Sequence, residues 1–199
     1  MPGRLDGKRI AILATDGVEQ VELLEPMHAL QRQGAKVEVI APKEGEIQGF
    51  EHLTPDRKIG VDRLLRVAMD EDYDALVLPG GVANPDQLRV MDDALAFVRS
   101  FAEAGKPIAA ICHAPWLLID AGLAEGRTLT SWPTLRTDLK NAGAEVVDWE
   151  VVVDRGLVTS RGPEDLPAFC AKIIEEFGQG RSQEMAREAR STLDIQPGA

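Results

Sequence analysis

The chain has 199 residues, 44% hydrophobic and 28% charged, enough for one sizeable core but not comfortably for two. Its 33 acidic against 22 basic residues leave a formal net charge of -11, which excludes a general nucleic-acid binder and argues against an anionic membrane surface as partner, since both need a basic face. No apolar run approaches the ~18 residues of a membrane span, and the opening Met-Pro-Gly-Arg-Leu-Asp stretch has no apolar leader, so a cytoplasmic location is expected. The two cysteines, Cys112 and Cys170, are too few for a disulfide framework, and three histidines make a multi-histidine metal site unexpected; no metal or other cofactor is anticipated.

Residues 9–14 are almost continuously apolar and end at Thr15-Asp16-Gly17, as a strand buried on both faces does. Residues 19–33 have helical spacing, with Pro26 inside and Gly34 as a terminating cap. A second strand spans 36–41. Residues 42–72 read as irregular, with one or two short extended pieces around Ile47–Phe50. A third buried strand, 73–79, closes on Gly80-Gly81. One long amphipathic helix is expected over 85–104, with Leu88, Met91, Leu95, Val98 and Phe101 on one face. A fourth strand, 106–111, runs into Cys112-His113 and a helix carrying Trp116–Ile119, ended by Gly122. Further strands are expected at 128–131, 144–147, 151–154 and 157–160, with helices at 135–141 and 164–177. The charged segment from 178 either adds a helix near 183–190 or stays a loose tail. This alternation predicts an α/β fold with an open, mostly parallel sheet and helices on both faces.

In such sheets ligands bind beyond the carboxyl ends of the strands. Three strands end there in unusual residues: Asp16-Gly-Val-Glu19, Gly80-Gly81 and Cys112-His113. Cys112 stands between a strand and a helix, with Pro115 in the first helical turn. Such a turn exposes a nucleophile and aims sulfur at the positive end of a helix, lowering a thiol pKa; the alternative is a small buried hydrophobe. His113 is a candidate general base or a solvated helix-start residue. His28 and His52 read as structural or solvated. Glu19 either completes a capping box begun by Asp16 or approaches Cys112 across the strand ends, where a desolvated, protonated carboxyl would hydrogen-bond sulfur. Glu22 and Glu25 read as surface or interface charges. Gly80-Gly81 is either a plain tight turn or a pair of backbone donors for an oxyanion. Cys170 lies in the apolar stripe of the last helix and reads as core. Trp116 and Trp132 read as packing or as pocket lining.

Ala-Ile-Cys112-His113-Ala-Pro, with Asp16-Gly-Val-Glu19-Gln-Val-Glu-Leu upstream and Leu-Pro79-Gly-Gly between, resembles the ThiJ/PfpI family of the class I glutamine-amidotransferase-like superfamily. Leu129-Thr-Ser-Trp132-Pro and Val158-Thr-Ser-Arg-Gly-Pro-Glu-Asp-Leu166 fit its PfpI-like, general-stress branch. The likeness covers roughly residues 8–178, expected as one domain, and leaves 179–199 as a charged tail. It implies a flavodoxin-like three-layer sandwich, a nucleophile at Cys112, a neighbouring histidine at His113, a thiol-contacting acid at Glu19, and oxyanion donors from the Gly80-Gly81 backbone and the His113 amide. It further implies an acid after the glycine pair that orients the histidine of an adjacent subunit. Here that acid is Asp86, an Asp where the family motif has Glu, on a loop one residue longer.

A glutamine amidotransferase needs a histidine far downstream of its cysteine, and none follows His113. The resemblance implies instead the activity of a cytosolic PfpI-type stress-response enzyme. Cys112 would attack a carbonyl, in a glyoxalase or deglycase reaction on small carbonyl compounds or in intracellular peptide hydrolysis, within a homo-oligomer. The alternative is a redox sensor or chaperone-like stress protein with an oxidisable Cys112.

Overall fold

A computed structural model describes residues 3–181 together with 185, 186 and 190. Twelve strands and six helices are formed among them: β1 (Arg9–Leu13), β2 (Val18–Glu19), α1 (Gln20–Arg32), β3 (Lys36–Ala41), β4 (Glu46–Glu51), β5 (Thr54–Gly60), β6 (Arg63–Leu64), β7 (Ala75–Leu78), α2 (Ala83–Leu88), α3 (Asp92–Glu103), β8 (Ile108–Ile111), α4 (Pro115–Asp120), β9 (Thr128–Leu129), α5 (Arg136–Asn141), β10 (Glu145–Val146), β11 (Val151–Asp154), β12 (Leu157–Ser160) and α6 (Leu166–Gln179). The expected tail helix near 183–190 falls largely outside the described residues.

Seven strands form the central sheet in the order β11-β12-β8-β7-β1-β3-β6. All its pairings are parallel except β11 with β12. The central strands are apolar on both faces, and alternation splits them between two cores. Ala11 and Leu13 of β1, Leu76 and Leu78 of β7, and Ile108 and Ala110 of β8 join a layer with Phe97, Phe101 and Leu117. Ile10 and Ile12, Ala75 and Val77, and Ala109 and Ile111 join the opposite layer with Leu23, Leu30, Phe169 and Ile173. This is the flavodoxin-like α/β arrangement that period-two alternation demands of a sheet covered on both sides.

After β1 the chain builds outward through β3 to one edge; with β7 it returns to the other side of β1. The connections reverse between β1 and β7, and the crevice beyond the strand ends opens there. The ends of β1, β7 and β8 are adjacent in the sheet, so residues 14–19, Gly80-Gly81 and Cys112 meet.

Two elements differ from expectation. The helix predicted over 85–104 is two helices, α2 and α3. Met91, at the start of α3, is extended (φ -100°, ψ 115°), and Asp92 and Asp93 form the acidic first turn of a new helix, favourable at its positive end. At the break, Arg89 is held to Asp120 at 2.6 Å and lies over the Trp116 ring. Residues 42–72 are more regular than expected: β4 and β5 form an antiparallel hairpin with an irregularity between Gln48 and Phe50, and β2 pairs with β4 in a separate three-stranded sheet. Few of the hairpin's residues are buried, which is why hydrophobic alternation is faint there. No helix among the described residues is long and apolar enough to cross a membrane.

Phe101 is fully buried, with Phe97 edge-on at 5.1 Å and Tyr73 stacked at 6.5 Å. Phe101→Ala should lower unfolding free energy by about 3–5 kcal/mol, whereas Val90→Ala, at the exposed break between α2 and α3, should change it by less than about 0.5 kcal/mol. Urea denaturation of both variants tests this.

Candidate active site

Cys112 directly follows β8 and has φ 64°, the left-handed region that a non-glycine residue occupies only when its surroundings enforce it. Its amide donates to Ser160 O at 3.0 Å, and its carbonyl accepts from the Trp132 amide at 3.0 Å. The Ala114 amide closes the turn onto Ile111 O at 3.0 Å. Backbone bonds to two other segments therefore hold the bend.

The acid beside the thiol is Glu22. Its side chain is completely buried, and Oε2 accepts from the Gly80 amide at 2.9 Å. Oε1 is buried without a hydrogen-bond partner of its own, and the carboxyl also neighbours the Cys112 thiol and the Gly81 amide. Gly80 permits this approach: a Cβ there would stand 2.5 Å from Glu22 Oε2 and 2.6 Å from Cys112 Cβ. Burial, reinforced by the nearby Glu19 charge, pushes the Glu22 carboxyl up to about 8. Burial first, then the Glu22 charge, raises the Cys112 thiol, while the Gly81 and His113 amides pull it down. The two groups compete for one negative charge.

Glu19 does not take the position expected of it. Its Oε2 accepts from the His52 amide at 2.9 Å, pinning the β4–β5 turn, where His52 has φ 55°. It makes no capping bond either, and the Asp16 carboxylate accepts from the Gln48 amide and Lys43 instead of opening a capping box. The reason is local. Residues 18–19 are spent on β2, so α1 begins at Gln20 and Glu22 occupies its first turn. Glu22 then lies on the same buried stripe as Leu23, Pro26, Ala29 and Leu30, not on the surface; Glu25 and His28 are exposed. The spacing of Glu22 with Leu23, Pro26, Ala29 and Leu30 is the signal that could have found it.

His113 is buried, with Nδ1 3.2 Å from Cys112 Sγ and Nε2 3.3 Å from Thr134 Oγ1. Its ring lies between Trp116 at 5.4 Å and Trp132 at 5.9 Å, the latter stacked. Burial lowers its pKa, favouring the neutral base. Asp86 is exposed on the first turn of α2, and no hydrogen bond or ion pair joins it to His113 within the chain. The Gly80 amide is engaged by Glu22, which leaves the Gly81 and His113 amides as the backbone donors at sulfur. Cys170, in α6, is half-buried against a groove with Glu25, Ala29 and Arg32, more open than a core position. Beyond Trp132 a half-open cleft of about 340 Å³ is bounded by Arg136, Asp148, Arg161 and Glu164.

A cysteine on a strained strand–helix turn, a buried acid on the first helix and a histidine next in sequence thus converge at one point. Residues 8–176 match the DJ-1/PfpI family. The chain belongs to the DJ-1/PfpI family. A deglycase of Thermococcus kodakarensis is 42% identical over 167 residues, spanning 84% of this chain and 98% of that protein. General stress protein 18 of Bacillus subtilis is 42% identical over 164 residues, spanning 82% of this chain and 94% of that protein. Among solved structures, Drosophila melanogaster DJ-1beta superposes with a TM-score of 0.79 at 31% identity, covering 96% of this chain and 99% of its own.

Because the folded DJ-1/PfpI domain holds the Glu22 proton up to about pH 8 while the unfolded chain releases it near the ordinary 4.5, this group's contribution is full below 4.5 and is lost as pH rises through 8. Wild-type stability should therefore fall relative to Glu22→Gln across that window, by up to roughly 1.4 kcal/mol per pH unit. Urea denaturation of both proteins at pH 5 and pH 8 measures the difference.

Proposed function

We propose that this chain is a cysteine-dependent stress-response enzyme whose Cys112 attacks the carbonyl carbon of small reactive carbonyl compounds or their protein adducts. One observation carries the reading: the Cys112 sulfur lies between the His113 imidazole, at 3.2 Å, and a buried carboxyl, on a bend strained to a positive φ. The deglycase name of the Thermococcus kodakarensis relative at 42% identity points the same way. The sulfur electron pair forms the C–S bond as the carbonyl π pair moves onto oxygen. The thiol proton passes to His113 Nδ1 and from there to that oxygen, yielding a hemithioacetal. Protonated Glu22 donates to sulfur and offsets the charge that burial opposes. The Gly81 and His113 amides are the donors for developing negative charge.

Asp86 enters this reading from outside the chain. It is exposed and makes no contact with its own His113, so it would orient the histidine of a neighbouring copy in a homo-oligomer. A second reading, a redox sensor, draws on Glu22, which can donate a hydrogen bond to an oxidised sulfur.

Cys112→Ser should abolish methylglyoxal consumption and leave the thermal midpoint nearly unchanged, whereas Cys170→Ser should retain activity. Full turnover by Cys112→Ala would overturn the assignment. Wild type that reacts with iodoacetamide at Cys112 yet consumes no carbonyl would favour the sensor. Asp86→Ala should lower turnover, and mixing it with Cys112→Ser should restore part of the activity through sites shared between copies. Full activity from a monomer in light scattering would leave the site within one chain.

A further inference from the structure

The histidine has two ring nitrogens, and its use as a base depends on which one carries the proton. Nδ1 faces the Cys112 sulfur, so it can take the thiol proton only if the neutral ring carries its own proton on Nε2. The atom that meets Nε2 is the Thr134 hydroxyl oxygen, at 3.3 Å.

The placement of Thr134 is tied to the nucleophile. It lies in the single helical turn Pro133–Leu135. On one side, the Trp132 amide donates to Cys112 O at 3.0 Å; on the other, Leu135 is fully buried and its amide donates to Trp132 O at 3.0 Å. Pro133 restricts the backbone between these anchors. Trp132 also stacks on the His113 ring. The segment therefore clamps the histidine twice, on its face and at its far nitrogen, and its own position is referenced to the backbone of Cys112.

We propose that Thr134 is a positioning residue that selects the Nε2–H tautomer of His113 and so leaves Nδ1 free to accept the Cys112 proton, an inference that rests on the thiol–histidine reading above. A hydroxyl accepts as well as donates. Oγ1 takes the Nε2–H bond both in the neutral ring and in the imidazolium formed when the proton leaves sulfur. The hydroxyl's own hydrogen remains available to a carboxylate approaching from a neighbouring copy, so the assignment does not require Asp86 and does not conflict with it. Trp116 and Trp132, the rings on either side, carry no ionisable group, and among the described residues no carboxylate forms an ion pair with His113; the orientation falls to this hydroxyl.

The test compares wild type, Thr134→Val, which keeps the shape and loses the oxygen, and Thr134→Ser, which restores it. Ring-nitrogen NMR on histidine-labelled protein reads the tautomer directly. With three histidines in the chain, a His113→Asn sample assigns the signal. Wild type and the Ser variant should show His113 protonated at Nε2, and the Val variant should shift toward the Nδ1–H form. Methylglyoxal turnover should fall roughly three- to tenfold in kcat for the Val variant, the worth of one neutral hydrogen bond, with KM little changed and with rescue in the Ser variant. An Nδ1–H ring in wild type, or an unchanged tautomer in the Val variant, overturns the proposal. If wild type consumes no carbonyl, the carbonyl reading fails on its own and the NMR comparison still decides the role of Thr134. Loss of activity in the Val and Ser variants alike, with the tautomer unmoved, would also overturn it.

Discussion

The structure depends on how closely the ends of β1, β7 and β8 are brought together. At Gly80 no side chain fits, because the space a Cβ would take is shared by the Glu22 carboxyl and Cys112. Close approach excludes water, and the exclusion of water shapes the chemistry of the pair. A carboxyl that would be ionised in water, and a thiol that would ionise near pH 9, are both held toward their neutral forms. Backbone amides, rather than lysines or arginines, then receive whatever negative charge develops on sulfur.

Fixed amide dipoles of this kind need no reorganisation when charge appears. They do require the backbone to be held, and the strained Cys112 is held by bonds to Ser160 and Trp132 on segments far apart in sequence. The site thus draws on the far end of the chain. β12 supplies the carbonyl that fixes the Cys112 amide, and the segment before α5 supplies the amide that fixes the Cys112 carbonyl. The histidine is placed by the same segment through ring stacking. A rigid sheet with short exits supports this better than a loop would, since each exit is positioned by the strand behind it.

Much of this was legible in the residues. Buried strands with turn signals marked β1, β3, β7, β8 and β12, and their alternation with helices marked a mostly parallel sheet covered on both faces. Cys112-His113 and the glycine pair were visible as unusual strand exits. Two things were hidden for physical reasons. The hairpin β4–β5 buries few of its residues, so no hydrophobic period announces it. Because that hairpin recruits residues 18–19 into β2, the start of α1 could not be read from the helix alone, and the acid at the thiol was assigned to Glu19 instead of Glu22. The helix break at Arg89–Met91 was masked in the same way: Leu88, Met91, Leu95 and Val98 keep an apolar rhythm across it, which hides the new start at Asp92-Asp93.

The two-residue strand β2 therefore has an importance out of proportion to its length. An α-helix turns by about 100° per residue, so the point where α1 begins sets which of its side chains is presented to the sulfur. Moving the start by one position would present Val21 or Leu23 in place of a carboxyl. Insertions or deletions between residues 14 and 19 act on the site as a change of angular phase, while the hairpin that pairs with β2 serves as the index that holds the phase. The chemistry of this pocket is thus more sensitive to the count of residues in one short connection than to the identity of most of them.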